Sequence, residues 1–137
     1  MWQIADMNQS PTIASQEAQS RGHVLATVAE LIVDLGPTET SELLGLFATH
    51  VSQTIARLHH GGDDNSLAAL GRIAHTMKGT AGCYGATELR ETSSQLAIAC
   101  QTEDRNAANA LLGRFEHQCQ HTLMVYKALA IRCKTLA

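Results

Sequence analysis

His75 is the residue best placed to do chemistry. It sits inside the helical run Ile73-Ala74-His75-Thr76-Met77-Lys78-Gly79-Thr80-Ala81-Gly82, on a face otherwise made of glycine and alanine. A helix turns about 100° per residue, so Ala68, Gly71, Gly79 and Gly82 project within about 40° of His75, with Arg72 and Lys78 about 60° to either side. An imidazole on a flat strip between two cations suits nucleophilic attack on an anionic phosphoryl group. Glycine in a helix interior costs about 1 kcal/mol relative to alanine, and two glycines bracket this histidine at one turn each. Helix stability does not account for them. Bare backbone around an upright ring lets a bulky partner or a phosphoryl group come within bonding distance of a ring nitrogen, which assigns steric clearance to Gly71 and Gly79.

The elements that must hold His75 follow from the apolar pattern. Leu67, Leu70, Ala74, Met77 and Ala81 recur at three- and four-residue steps, the core stripe of an amphipathic helix. That stripe is centred about 130° from His75, so the ring faces solvent. Asp63 or Asp64 is expected to start this helix, and the glycines of Gly82 to Ala86 to end or kink it. Before it, Val24, Leu25, Val28, Leu31, Ile32 and Leu35 line a first helix from about Gly22, stopped by Gly36-Pro37. Thr38 or Thr40 can cap a second, whose core stripe is Leu43, Leu44, Phe47, Val51, Ile55 and Leu58. After the motif, one helix runs from about Thr87 to Gln101 on Leu89, Leu96 and Ala99 or Cys100. A last one reaches about Cys133 on Ala108, Leu111, Leu112, Phe115, Cys119, Thr122, Tyr126 and Leu129.

This pattern predicts an all-α fold, an antiparallel four-helix bundle with a short additional N-terminal helix. The few aromatic residues, 4% of the chain, agree with it. Residues 1–20 are polar and weakly patterned and read as a flexible arm or linker, leaving residues 21–137 as the single bundle domain, a size able to bury one core.

The motif region resembles a known family. Ala74-His75-Thr76-Met77-Lys78-Gly79-Thr80-Ala81, followed by Gly82-Cys83-Tyr84-Gly85-Ala86 and Leu89, is similar to the signature of histidine-containing phosphotransfer (HPt) domains, roughly A-H-x-L-K-G-S/T-A-x-x-x-G-A-x-x-L. Leu43, Leu44, Leu46 and Phe47 look like that family's preceding helix, and Leu96 to Cys100 fit the helix after the motif. Thr80 and Met77 replace the commoner Ser and Leu with similar size or chemistry.

The resemblance implies a phosphorelay intermediate. His75 would accept a phosphoryl group from a receiver-domain aspartate and pass it on to, or take it back from, a response regulator. Lys78 and, from the other flank, Arg72 would stabilise the phosphoryl oxygens, and Thr80, Gly82, Gly85 and Ala86 would support the motif. Leu43, Phe47 and Ala68 would dock the partner. No autokinase activity of its own is expected. Neither is a cofactor: Mg2+ and the acceptor aspartate would belong to the receiver domains of response regulators and of a hybrid sensor histidine kinase. An ordinary imidazole is mostly neutral near pH 7, so no activating base is required.

Other readings bear on the same residues. The histidine-bearing domain of a chemotaxis-type kinase has a related motif, but usually an aromatic residue after the spaced glycine, where this chain has Ala86. A metal- or haem-binding bundle would use His117 and His121, one turn apart, with His23, His50, His59 or His60. A helical adaptor that is never phosphorylated is the third alternative.

Composition narrows the partners. A net charge of −3 and a pI near 6.1 carry no electrostatic footprint for nucleic acid. No apolar run approaches a membrane span and the N-terminus lacks a signal-peptide layout, so the expectation is a cytoplasmic monomer without membrane insertion. Cys83, Cys100, Cys119 and Cys133 have no zinc-type spacing and read as free, buried or half-buried thiols.

Overall fold

The computed structural model describes residues 13–59 and 66–137, which form five helices and, among the described residues, no strand. They are α1 (Ile13–Leu35), α2 (Pro37–His59), α3 (Leu67–Cys83), α4 (Thr87–Gln101) and α5 (Arg105–Leu136). Of the expected N-terminal arm, residues 1–12 lie outside the described part, while residues 13–20 are helical. The additional N-terminal helix is therefore not short: it spans 23 residues, as long as α2.

Local chemistry sets the boundaries. α1 ends at Gly36, whose φ of 84° is left-handed and whose N–H donates to the Ile32 carbonyl at 2.9 Å. Pro37 then opens α2, where its fixed φ suits the first turn and its missing N–H has no helical partner to lose. Thr38 and Thr40 consequently sit within the first turn and cap nothing. Thr40 is fully buried. At the start of α3 the cap is Ser66, whose hydroxyl accepts from the Ala69 N–H at 3.1 Å. Asp63 and Asp64, expected in that role, lie outside the described residues. Asp104 caps α5 by accepting from Ala107 N–H at 3.1 Å.

The motif's Gly85-Ala86 pair closes α3. Ala86 N–H returns to the Ala81 carbonyl at 3.0 Å and Gly85 N–H to the Gly82 carbonyl at 3.4 Å, around a left-handed Gly85 with φ 76°. This is the Schellman arrangement, in which a residue without a Cβ takes the left-handed position and an apolar residue follows it into the core. Ala86 is buried.

Four helices make the bundle. α2 lies along α5, α3 along α4, and α4 along α5, whereas α2 and α3 touch only sparingly. The core is built from Leu44, Phe47 and Val51 of α2, Ala74, Met77 and Ala81 of α3, Leu89 and Leu96 of α4, and Phe115, Cys119 and Tyr126 of α5. α1 packs on α2 and reaches α4. No helix among the described residues is long and apolar enough to cross a membrane.

Candidate functional site

His75 is exposed, as the core stripe of α3 requires, because Ala74, Met77 and Ala81 turn the opposite face inward. It borders an open groove of about 700 Å3 between α3 and α2, which touch each other only sparingly. The groove is lined on α3 by His75, Thr76, Gly79, Thr80 and Cys83, and completed by Tyr84, by Leu43 of α2 and by Leu31 of α1.

The floor of that groove is held from beneath by aromatic packing. Phe47 stacks on Tyr84 with ring centroids 4.5 Å apart and meets Tyr126 edge-on at 4.7 Å. The Tyr126 hydroxyl donates to the Tyr84 carbonyl at 2.5 Å, tying the C-terminal end of α3 to α5. Burial pushes the Tyr126 phenol well above its ordinary range, so it remains a donor. The Tyr84 phenol is raised too, first by burial and then by Cys83.

The two glycines expected to clear space for His75 have different surroundings. At Gly79, which is exposed, an added Cβ would meet nothing within 4 Å. At half-buried Gly71 it would lie 3.1 Å from the Cys100 Cβ. Gly71 is therefore corrected: it lets α4 approach α3 and does not clear the face of His75. Gly82 is also a packing glycine, with the aliphatic stem of Arg90 lying where its side chain would be, 3.1 Å from the Cβ position.

Lys78 and Arg72 are both exposed on the flanks of His75. Thr80 uses its hydroxyl locally, donating to the Thr76 carbonyl at 3.0 Å, a back-bond that occupies it within the helix.

The docking set also divides. Leu43 is half-buried on the groove, and Ala68 is exposed on α3 two turns before His75. Phe47 is only 1% exposed beneath Tyr84 and offers a partner nothing, so its assignment to the docking surface is corrected. Its type and spacing fitted the core stripe equally well, and the core claimed it. Leu31, Thr76, Cys83 and Tyr84 enter the site without having been singled out for it. Thr76, Cys83 and Tyr84 were already within the motif run, but nothing in α1 alone marks Leu31 as a groove residue.

The four cysteines are free. Cys83 is exposed, neither buried nor half-buried as expected, while Cys100, Cys119 and Cys133 are buried. His117 and His121 are exposed on α5, and among the described residues no group of three or more His, Cys, Asp or Glu side chains is arranged to hold a metal ion.

Against known families, the model described as the Hpt domain matches residues 42–124, more than half of the chain. Neither the curated proteins nor the solved structures gave a match.

Proposed function

Because this chain belongs to the Hpt domain family, whose members carry phosphoryl groups on histidine in phosphorelays and are not autokinases, we propose that His75 is its phosphoryl acceptor and receiver domains are its partners. The observation that carries the reading is an exposed imidazole at an open groove, with empty space over Gly79 one turn away.

The transfer follows from that arrangement. Nε2 lies at the tip of the ring, and with the proton on Nδ1 its lone pair is free to attack phosphorus. The new Nε2–P bond forms as the P–O bond to the receiver's aspartyl carboxylate breaks, and the leaving carboxylate keeps the electron pair. Loss of the Nδ1 proton to water returns the ring to neutrality. The reverse sequence loads the next receiver. Mg2+, brought on the receiver's own carboxylates, supplies charge neutralisation for the phosphoryl oxygens.

This chain's residues position and shield. Lys78, one turn along from His75, places an ammonium beside the transferring oxygens, where a charge-assisted hydrogen bond shortens and strengthens. Arg72 does the same from the other flank. Gly79 keeps the approach path clear, and the Phe47–Tyr84–Tyr126 cluster holds the groove's floor still.

The test is transfer from a 32P-labelled receiver domain. Label is expected to move to the wild-type chain as an acid-labile, alkali-stable adduct, and none to His75→Gln. Labelling of the variant at the wild-type rate would end the proposal. Incubation with ATP and Mg2+ alone is expected to leave the chain unlabelled.

A further inference from the structure

The last helix concentrates positive charge that phosphoryl transfer at His75 does not use. From Arg105 onward the chain holds five cationic residues, Arg105, Arg114, Lys127, Arg132 and Lys134, and one acid, Glu116. Residues 1–104 hold the other five cations and the other twelve acids. A chain of net charge −3 is thus a body of −7 joined to a helix of +4.

The second half of α5 shows how that charge is arranged. Cys119, Thr122, Tyr126 and Cys133 turn into the bundle. On the opposite side His121, Met124, Ala128, Ile131 and Thr135, all exposed, follow one another at alternating steps of three and four residues. Met124 is 72% and Ile131 67% exposed, so neither contributes to the core. The alternation is the a and d seam of a coiled coil. In that register Lys127 and Lys134 take g positions on one flank and Arg132 an e position on the other, and none of the three has an anionic partner among the described residues. We propose that this face docks an acidic amphipathic helix of a partner protein, with apolar side chains on Met124, Ala128 and Ile131 and carboxylates on Lys127, Arg132 and Lys134.

Charge selects the occupant. A second copy offering the same seam would set cation against cation in either orientation, Lys against Arg when parallel and Lys against Lys when antiparallel, and flanking charges of this kind decide partner choice. An anionic membrane surface would match the charge, but a helix lying on lipid needs a broad apolar face, and this seam has two large apolar side chains with Ala128 between them and Arg132 alongside. An acidic helix satisfies both the charge and the narrow seam. The place in the bundle gives the contact its use. α5 lies against α2 and α4, and α3 lies along α4, so α3 and α5 are the diagonal pair and a helix held on the outside of α5 leaves the His75 groove open. The inference stands whether or not His75 carries a phosphoryl group.

The experiment uses the full chain and a fluorescein-labelled synthetic peptide of about three heptads, with Leu at a and d and Glu at e and g, whose own carboxylates keep it from self-pairing. Anisotropy is expected to show saturable binding that weakens with added salt. Met124→Ser with Ile131→Ser should weaken it at least about tenfold. Reversing the charges together, Lys127→Glu, Arg132→Glu and Lys134→Glu, should abolish binding of this peptide and create binding of its counterpart with Lys at e and g. All five side chains are exposed, and melting curves check that each variant folds. Labelling of His75 from a phosphorylated receiver, and from phosphoramidate, a small donor that needs no docking surface, should be unchanged by the variants and by saturating peptide. No binding to the wild-type chain, equal binding to the variants, or peptide that blocks receiver transfer overturns the proposal. So does wild-type dimerisation in sedimentation that Met124→Ser with Ile131→Ser abolishes, which assigns the face to a second copy, or capture by phosphatidylglycerol vesicles in preference to the peptide, which assigns it to lipid.

Discussion

Replacing Gly79 should make the protein more stable and less active at once, and Gly71 provides the control. At Gly79 an added side chain meets open space, so the only folded-state consequence is relief of glycine's helix penalty. That gain is about 1 kcal/mol for Gly79→Ala and about half as much for Gly79→Gln. With an unfolding entropy near 2 cal/mol/K per residue, about 1 kcal/mol corresponds to roughly 4 °C in melting temperature for a chain of this size. The same helix term applies at Gly71, but there the Cβ would stand 3.1 Å from the Cys100 Cβ, inside the ~3.5–4.0 Å at which carbon atoms pack best. Overpacking costs about 1–3 kcal/mol, so Gly71→Ala should be net destabilised, by about 1 kcal/mol. Transfer should run the other way. The longer side chain introduced by Gly79→Gln would project over the groove within a turn of the imidazole, and displacing a reacting group by about 1 Å can cost about 100-fold in rate. Urea titration and single-turnover transfer from a phosphorylated receiver read the two effects. A Gly79→Gln protein that is less stable than wild type, or that transfers at the wild-type rate, would contradict an open, transfer-relevant space over Gly79. Gly71→Ala becoming more stable would rule out the overpacking against Cys100.

Further outcomes follow from the site's supports. Tyr126→Phe removes the 2.5 Å hydrogen bond to the Tyr84 carbonyl and should lower unfolding free energy by about 1–3 kcal/mol in urea; transfer should slow as the groove floor loosens. Alkaline pH should destabilise the fold. Burial, with Glu116 adding to it, pushes the Cys119 thiol up to about 12 from an ordinary 9.0, so below pH 9 both states keep the proton and stability is full. Between pH 9 and 12 the unfolded chain releases it and the folded chain does not, so stability falls by about 1.4 kcal/mol per pH unit for this group. Equilibrium unfolding across that range should show a shallower slope for Cys119→Ala. In the native protein Ellman's reagent should react quickly with Cys83, the exposed thiol, and reach Cys100, Cys119 and Cys133 only as the fold opens. Prior blocking of Cys83, which lines the groove, should slow receiver-dependent transfer but leave phosphoramidate labelling largely intact.

The sequence by itself determined that His75 faces outward, that it stands on a helix whose other side is core, and where four of the helices lie. These are properties of a single helix: with a fixed rotation per residue, the positions of Ala74, Met77 and Ala81 dictate where His75 points. It also contained the Gly85-Ala86 closure, because a left-handed turn position has a strong residue preference of its own. What it could not distinguish is what each flank meets. Gly71 and Gly79 are offset by about 40° to either side of His75 and are equivalent within the helix. Only the placement of α4 fills one side and leaves the other open. The same holds for Phe47 and Leu43, neighbours on one apolar stripe, of which the aromatic cluster takes the first and the groove keeps the second. Leu31 is the extreme case. Its apolar character follows from helix periodicity, but its place beside His75 depends on contacts between α1 and a turn about sixty residues later in the chain, and no local pattern encodes a contact at that separation.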